Sequence, residues 1–246
     1  MNFLNILSKI YKPKNVVKNL SYGDGTSMFY DEFPGAKKSL PVVIFWHGGG
    51  WQTGNKSLYG FVGIYFQKLG YNAVVANYPK YPDQTFPGFI KDANHLVDVI
   101  KKKYPKSKIF LAGHSAGGHT ALITAMKRSA DPVDGVIALA PAVWFAEKTW
   151  SRWQKIFTQP YESKKQEVYS YVENGPKSVR YLLIHGSNDA TISHKDSIKL
   201  HEFLSSGGFN SKLEILPVLN HWAILSIFTF RMWPKLKQSI KNFVDA

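Results

Sequence analysis

The chain contains no cysteine, which excludes disulfides, thiolate nucleophiles and Cys-ligated zinc. The same absence leaves the compartment open, and the cytoplasm is the default expectation. No charge-free apolar run reaches the roughly 18 residues that a bilayer-crossing helix needs. Acidic residues are scarce, 17 Asp and Glu against 31 Lys and Arg, for a formal net charge of +14. The basic residues are nevertheless scattered, from Tyr11 to Lys18, at Lys37 and Lys38, from Lys101 to Lys108, at Lys164 and Lys165, and from Lys235 to Lys241. Without a zinc-finger spacing, a Gly-rich RNA-reading motif or a long basic arm, the excess reads as a solvated surface and argues against a nucleic-acid partner. Met1 to Tyr11 holds a short apolar run, with no basic region before it and no small-residue cleavage site after it. It reads as mature sequence, the alternative being an amphipathic helix in weak contact with a membrane surface.

At 246 residues and 44% apolar composition, a single large core is expected. Pro41 to Trp46 and Tyr71 to Asn77 are apolar runs of strand length, and the segment 57–69 between them repeats apolar residues at helical spacing. The alternation continues with a helix over 89–103 and strands at 108–112, 135–140, 180–184 and 213–216. Helices are predicted over 117–127, around 193–205 and over 233–244, and Val16 to Asp31 reads as an edge hairpin. Such a pattern predicts an α/β fold, a mostly parallel sheet with helices on both faces. It is interrupted between Pro141 and about residue 178, where Trp144, Phe145, Trp150, Trp153, Phe157 and Tyr161 require apolar partners. This stretch is read as a small cap over the carboxyl edge of the sheet, against the alternative of an excursion that only packs the core.

One motif carries chemistry. The strand 109–112 runs into Gly113-His114-Ser115-Ala116-Gly117 and then an alanine-rich helix. G-x-S-x-G at a strand-to-helix junction is a nucleophile elbow, whose glycines permit the tight turn that projects the serine hydroxyl. A hydroxyl needs a base to take its proton and donors for the oxyanion it creates. The donors are expected among the backbone N–H groups of Gly49, Gly50 and Ala116, because His47-Gly48-Gly49-Gly50-Trp51 follows the first central strand. A carboxylate and then a histidine should follow in chain order. Asp189 lies in a loop past the strand 180–184, whereas its competitor Asp196 falls in a helix. His221 follows the last strand and is the expected general base. His47, His114 and His185 are assigned structural hydrogen bonding, and His119, His194 and His201 helical surface or packing. His114 and His119 are five apart with no suitable glutamate between them, so neither a metal nor another cofactor is expected.

Taken together, GHSAGG, HGGGW, HGSND and the late NHW resemble the carboxylesterase and lipase branch of the α/β-hydrolases, especially small bacterial esterases and kynurenine formamidase-like members. The resemblance spans about residues 16 to 244 and includes YPKYPDQTFPGFIKD before the helix that precedes the elbow. It implies an α/β-hydrolase fold and a Ser115, Asp189, His221 triad. Gly49 and Gly50 correspond to the family's oxyanion glycines, and Trp51 to the aromatic residue that packs that loop. Trp51, Trp144 and Trp222 are the expected pocket residues. Thr191-Ile192-Ser193 replaces the valine-proline pair of many members and leaves the loop geometry after Asp189 open. The implied partner is a small-molecule ester or acyl compound, acted on by a monomer or homodimer, with an arylformamide as the second substrate reading. The non-enzymatic alternative is a binding protein that kept the scaffold but lost catalysis.

Overall fold

The computed structural model describes residues 15–144, 153–157, 167–229 and 233–246. The apolar runs form strands because both faces of each are covered: β3 (Val42–Trp46), β4 (Asn72–Ala76), β5 (Ile109–His114) and β6 (Gly135–Leu139) are buried along their whole length. With β7 (Arg180–Gly186) and β8 (Ser211–Leu216) they make a parallel array. The hairpin of β1 (Val17–Ser21) and β2 (Phe29–Phe33) adds to its edge through antiparallel pairing of β2 with β4. The order across the sheet is β1-β2-β4-β3-β5-β6-β7-β8.

Alternate residues of one strand feed two separate cores. Val42, Ile44 and Trp46 join the cluster containing α2 (Gly88–Lys103), α3 (Ala116–Met126) and Leu200 and Leu204 of α5 (His194–Ser206). Val43 and Phe45 join the opposite cluster, with α1 (Gly60–Lys68) and α6 (Pro234–Asp245). This alternation is the period of two that a strand imposes on its side chains. The expected layering is therefore observed, and most boundaries fall within one or two residues of the sequence reading. The end of the chain differs more. The apolar residues after His221 form a separate 3₁₀ helix, Ala223–Phe228, whose Ile224, Leu225, Ile227 and Phe228 are buried in the second cluster.

Register places the chemistry. Trp46 pairs with Gly113, His114 with Leu139, Leu139 with Ile184, and Gly186 with Leu216, so the carboxyl ends of five adjacent strands are level. Loops leaving those ends converge, as they do where open parallel sheets bind ligands.

Of the interrupting segment, residues 145–152 and 158–166 lie outside the described residues, and with them Phe145, Trp150 and Tyr161. A short helix, α4 (Tyr169–Val172), closes it before β7. Phe157 is buried among Trp51, Phe86 and Phe89. Trp153 meets Trp51 edge-on at 5.6 Å between ring centroids. An aromatic cluster thus covers this edge of the sheet. The amino-terminal run Met1 to Tyr11, with its membrane-surface alternative, also lies outside the described residues. No helix among the described residues is long and apolar enough to cross a membrane.

Candidate active site

Ser115 sits between β5 and α3 with φ 56° and ψ −120°, a region that a residue with a Cβ rarely occupies. Its backbone is held there from both sides. The Ser115 N–H donates to the Leu139 carbonyl at 2.9 Å, and its own carbonyl accepts from His119 N–H at 3.1 Å and Ala142 N–H at 3.3 Å. The turn also needs Gly117, because a Cβ there would stand 2.1 Å from the Trp46 carbonyl oxygen. Any larger residue would push α3 off the end of β3.

Two loops deliver the partners. The loop after β7 is tied to the loop after β8 by Ser187 N–H to Leu216 O (2.9 Å) and Asn188 N–H to Leu219 O (3.0 Å). The turn holding His221 is closed by the Asn220 side chain, whose Oδ1 accepts from Trp222 N–H and Ala223 N–H at 3.1 and 2.9 Å. As a result His221 Nε2 lies 2.9 Å from Ser115 Oγ, and His221 Nδ1 lies 2.7 Å from Asp189 Oδ2. All three residues are buried to within 9% residual exposure, so the relay is shielded from bulk water but open to a reactant.

Asp189 is surrounded by donors. Its Oδ1 accepts from Thr191 N–H (2.8 Å) and Ile192 N–H (2.9 Å), and its Oδ2 accepts from His221 and from His185 Nε2 at 3.1 Å. Burial by itself would raise this carboxyl, but the bonds from His185, His221 and Ile192 N–H outweigh it and hold the group below the ordinary carboxylate range. A permanently ionised acid facing Nδ1 fixes the tautomer with Nε2 free to accept the serine proton. The loop left open by Thr191-Ile192-Ser193 is thus ordered by the carboxylate itself. Asp196, the competing acid, lies on α5 at the cavity wall and does not bond His221.

His47 and His114 play the supporting part expected of them. His114 Nε2–H donates to the His221 carbonyl at 2.8 Å, which pins the backbone of the base. His47 Nδ1–H donates to the Gly48 carbonyl at 2.7 Å, between the rings of Tyr59 and Tyr78. Burial pushes His47 down to about 4 and, with His221 close by, His114 down to about 3. Both are neutral when folded and protonate in the unfolded chain below about pH 6.5. Their contribution is complete above that pH and is lost as pH falls through 6.5 toward 4 and then 3. Unfolding should therefore take up close to two protons near pH 5, weakening the fold by up to about 1.4 kcal/mol per pH unit for each histidine. Urea melts at pH 7, 6 and 5 measure this, and a flat profile would contradict it. Asp189 acts in a lower window, keeping its contribution until pH falls below the ordinary carboxylate range.

Beside Ser115 lies a cavity of about 520 Å³, lined among the described residues by Gly49, Gly50, Trp144, Trp153, Ile192 and Trp222 together with Ser115 and His221. The HGGG turn reaches this wall because a Cβ on Gly48 would stand 3.1 Å from Ser115 Cβ. Gly49 O accepts from Gln52 N–H and Thr53 N–H, at 3.2 and 3.0 Å. Ala116 begins α3 directly after the serine. Of the three expected pocket tryptophans, which all line the cavity, Trp144 and Trp222 are 47% and 43% exposed, whereas Trp51 is buried. The sequence reading did not place Trp153, Ile192 or Asp196 at the pocket. Ile192 and Asp196 were accessible to it, since the loop and helix after Asp189 must rise from the same sheet edge. His119 corrects the surface alternative: it is fully buried against Trp51 and Phe157. His201 gains a partner, Ser211 Oγ, at 2.9 Å. Among the described residues no group of acids and histidines could hold a metal ion.

Comparison with known proteins agrees with this geometry. The BD-FAE family model matches residues 32–149. Versiconal hemiacetal acetate esterase of Aspergillus parasiticus is 35% identical over 106 residues, which are 41% of this chain and 34% of that protein. Kynurenine formamidase of Danio rerio is 22% identical over 222 residues, 84% of this chain and 75% of that one. The first curated relatives are matched over only about a third of their length, 34%, 36% and 31%. A truncated carbohydrate esterase from gut microbiota superposes with a TM-score of 0.80 at 16% identity, covering 95% of this chain and 98% of that one.

Proposed function

We propose, from its resemblance to the α/β-hydrolases and its assembled Ser115–His221–Asp189 relay, that this chain is a serine carboxylesterase acting through an acyl-enzyme. The observation that carries the reading is the unbroken hydrogen-bonded path from Ser115 Oγ through His221 to Asp189. His221 Nε2 takes the hydroxyl proton as Oγ attacks the ester carbonyl, and the imidazolium is stabilised by the ionised Asp189. The oxyanion is received by backbone N–H groups drawn from Gly49, Gly50 and Ala116, the last strengthened by the amino end of α3. His221 then protonates the leaving alcohol, and the same imidazole activates the water that releases the acid.

The substrate is a small to medium ester. A cavity of about 520 Å³ walled by Trp144, Trp153, Trp222 and Ile192 accommodates a short acyl or aryl group beside the serine. Its apolar wall supplies binding that a charged acyl chain would forfeit. An arylformamide is the second reading, favoured by the same indole walls and by the similarity to a kynurenine formamidase. A panel of p-nitrophenyl esters run beside N-formylkynurenine tests the choice. The expected order is acetate and butyrate fastest, long acyl chains slower, the formamide slowest. Formamide hydrolysis faster than either short ester reverses the assignment.

A further inference from the structure

We propose that His185, held by Ser197, is a positioning residue that shares the Asp189 oxygen used by His221 and thereby lowers the proton affinity of the catalytic imidazole. The inference rests on the hydrolase reading above and concerns how that relay is set.

His185 is fully buried in β7 and takes no part in the proton path from Ser115. Its Nε2 lies 3.1 Å from Asp189 Oδ2 and 3.2 Å from the Ile192 carbonyl oxygen. Both neighbours only accept, so Nε2 carries the proton. Its Nδ1 lies 2.7 Å from Ser197 Oγ, and in a neutral ring that nitrogen bears the lone pair, so the Ser197 hydroxyl donates. Ser197 is itself fully buried on α5. Two arms therefore meet on one oxygen: Ser197 to His185 to Asp189 on one side, Ser115 to His221 to Asp189 on the other. The Thr191 and Ile192 N–H groups occupy the second oxygen. Four donors saturate the carboxylate and stop it from rotating.

The electrostatic consequence follows from the shared oxygen. Negative charge drawn toward the His185 N–H is not offered to His221, so the imidazolium form is stabilised less than it would be by a carboxylate facing it alone. The other titratable groups around the relay are His114 of β5, which the buried site keeps neutral, and Asp196 of α5, with His194 and Lys199 beside it. None of these bonds Asp189, so His185 is the group whose removal changes the acid directly.

The test compares His185→Leu, which deletes the donor, with His185→Gln, whose amide nitrogen restores one near the Nε2 position. The primary readout is the titration midpoint of the His221 ring, followed by nitrogen-15 NMR on the full chain. His185→Leu should raise that midpoint by about 0.5 to 1 pH unit. The acid limb of kcat/KM for p-nitrophenyl butyrate should move up with it, and kcat should fall about tenfold with KM changed less than about twofold. His185→Gln should bring the midpoint most of the way back. Ser197→Ala, a smaller excision suited to the case in which the leucine variant does not fold, should raise the midpoint in the same direction by less, since an imidazole without its own donor gives a weaker N–H bond. A wild-type midpoint in the folded leucine or alanine variant overturns the proposal, as does identical behaviour of Leu and Gln. Failure of the hydrolase reading looks different: the wild type would neither turn over esters nor become phosphonylated at Ser115, while the His221 titration would still decide whether His185 tunes it.

Discussion

Ser115→Ala is expected to reduce ester turnover by about 10⁵-fold or more in kcat while leaving the fold in place. The change removes the only atom that forms the covalent bond, and the base at 2.9 Å then has no proton to take. The remaining rate comes from binding and the oxyanion donors alone. Stability should change little or rise, because φ 56° is no more strained for Ala than for Ser and no polar atom is newly buried. Substrate turnover measured beside a thermal melt decides it: a folded variant that retains wild-type activity removes Ser115 from the mechanism.

Asp189→Asn is the second large effect, with kcat lowered about 10⁴-fold at neutral pH. The amide keeps the shape of the carboxylate but carries only one acceptor oxygen for the four donors of His185, His221, Thr191 and Ile192. Whichever way the amide turns, its NH₂ faces donors, and the arrangement that spares the backbone N–H groups puts NH₂ against both imidazoles. His221 then adopts the opposite tautomer, with Nε2 protonated and unable to accept from Ser115. A wild-type kcat at pH 7 in this variant would leave Asp189 with a scaffolding role only. A melting temperature lowered beside the lost activity is the accompanying expectation, since a buried set of donors loses its acceptor.

Much of this was legible in the chain because the relevant signals are local. Fully apolar runs such as Val42 to Trp46 and Ile109 to Ala112 are strands buried on both faces, and the two flanking glycines of the elbow are demanded by a turn only a few residues long. Ser115, His221 and Asp189 could be ordered along the chain because each follows a strand that must end at the same edge. The departures have a common origin in contacts between segments remote in sequence. His119 reads as a helical residue of either surface or core until Trp51 and Phe157 are seen to enclose it. Residues 223–228 form their own 3₁₀ helix because Phe228 packs on Phe45 and Phe66, far back in the chain. The cap residues that are described divide their roles, Phe157 in the core and Trp153 at the cavity, which composition alone does not separate.

By itself the sequence determined the layered parallel architecture, the elbow and the order in which nucleophile, acid and base follow one another, since these depend on periodicity and on turn chemistry within short windows. The tertiary structure decided that His185 and Ser197 converge on the oxygen that His221 uses, and that Trp153 joins the other indoles at the cavity. Those outcomes depend on distances of a few ångströms between side chains that strand register and loop-to-loop hydrogen bonds bring together, and no spacing along a chain encodes such distances.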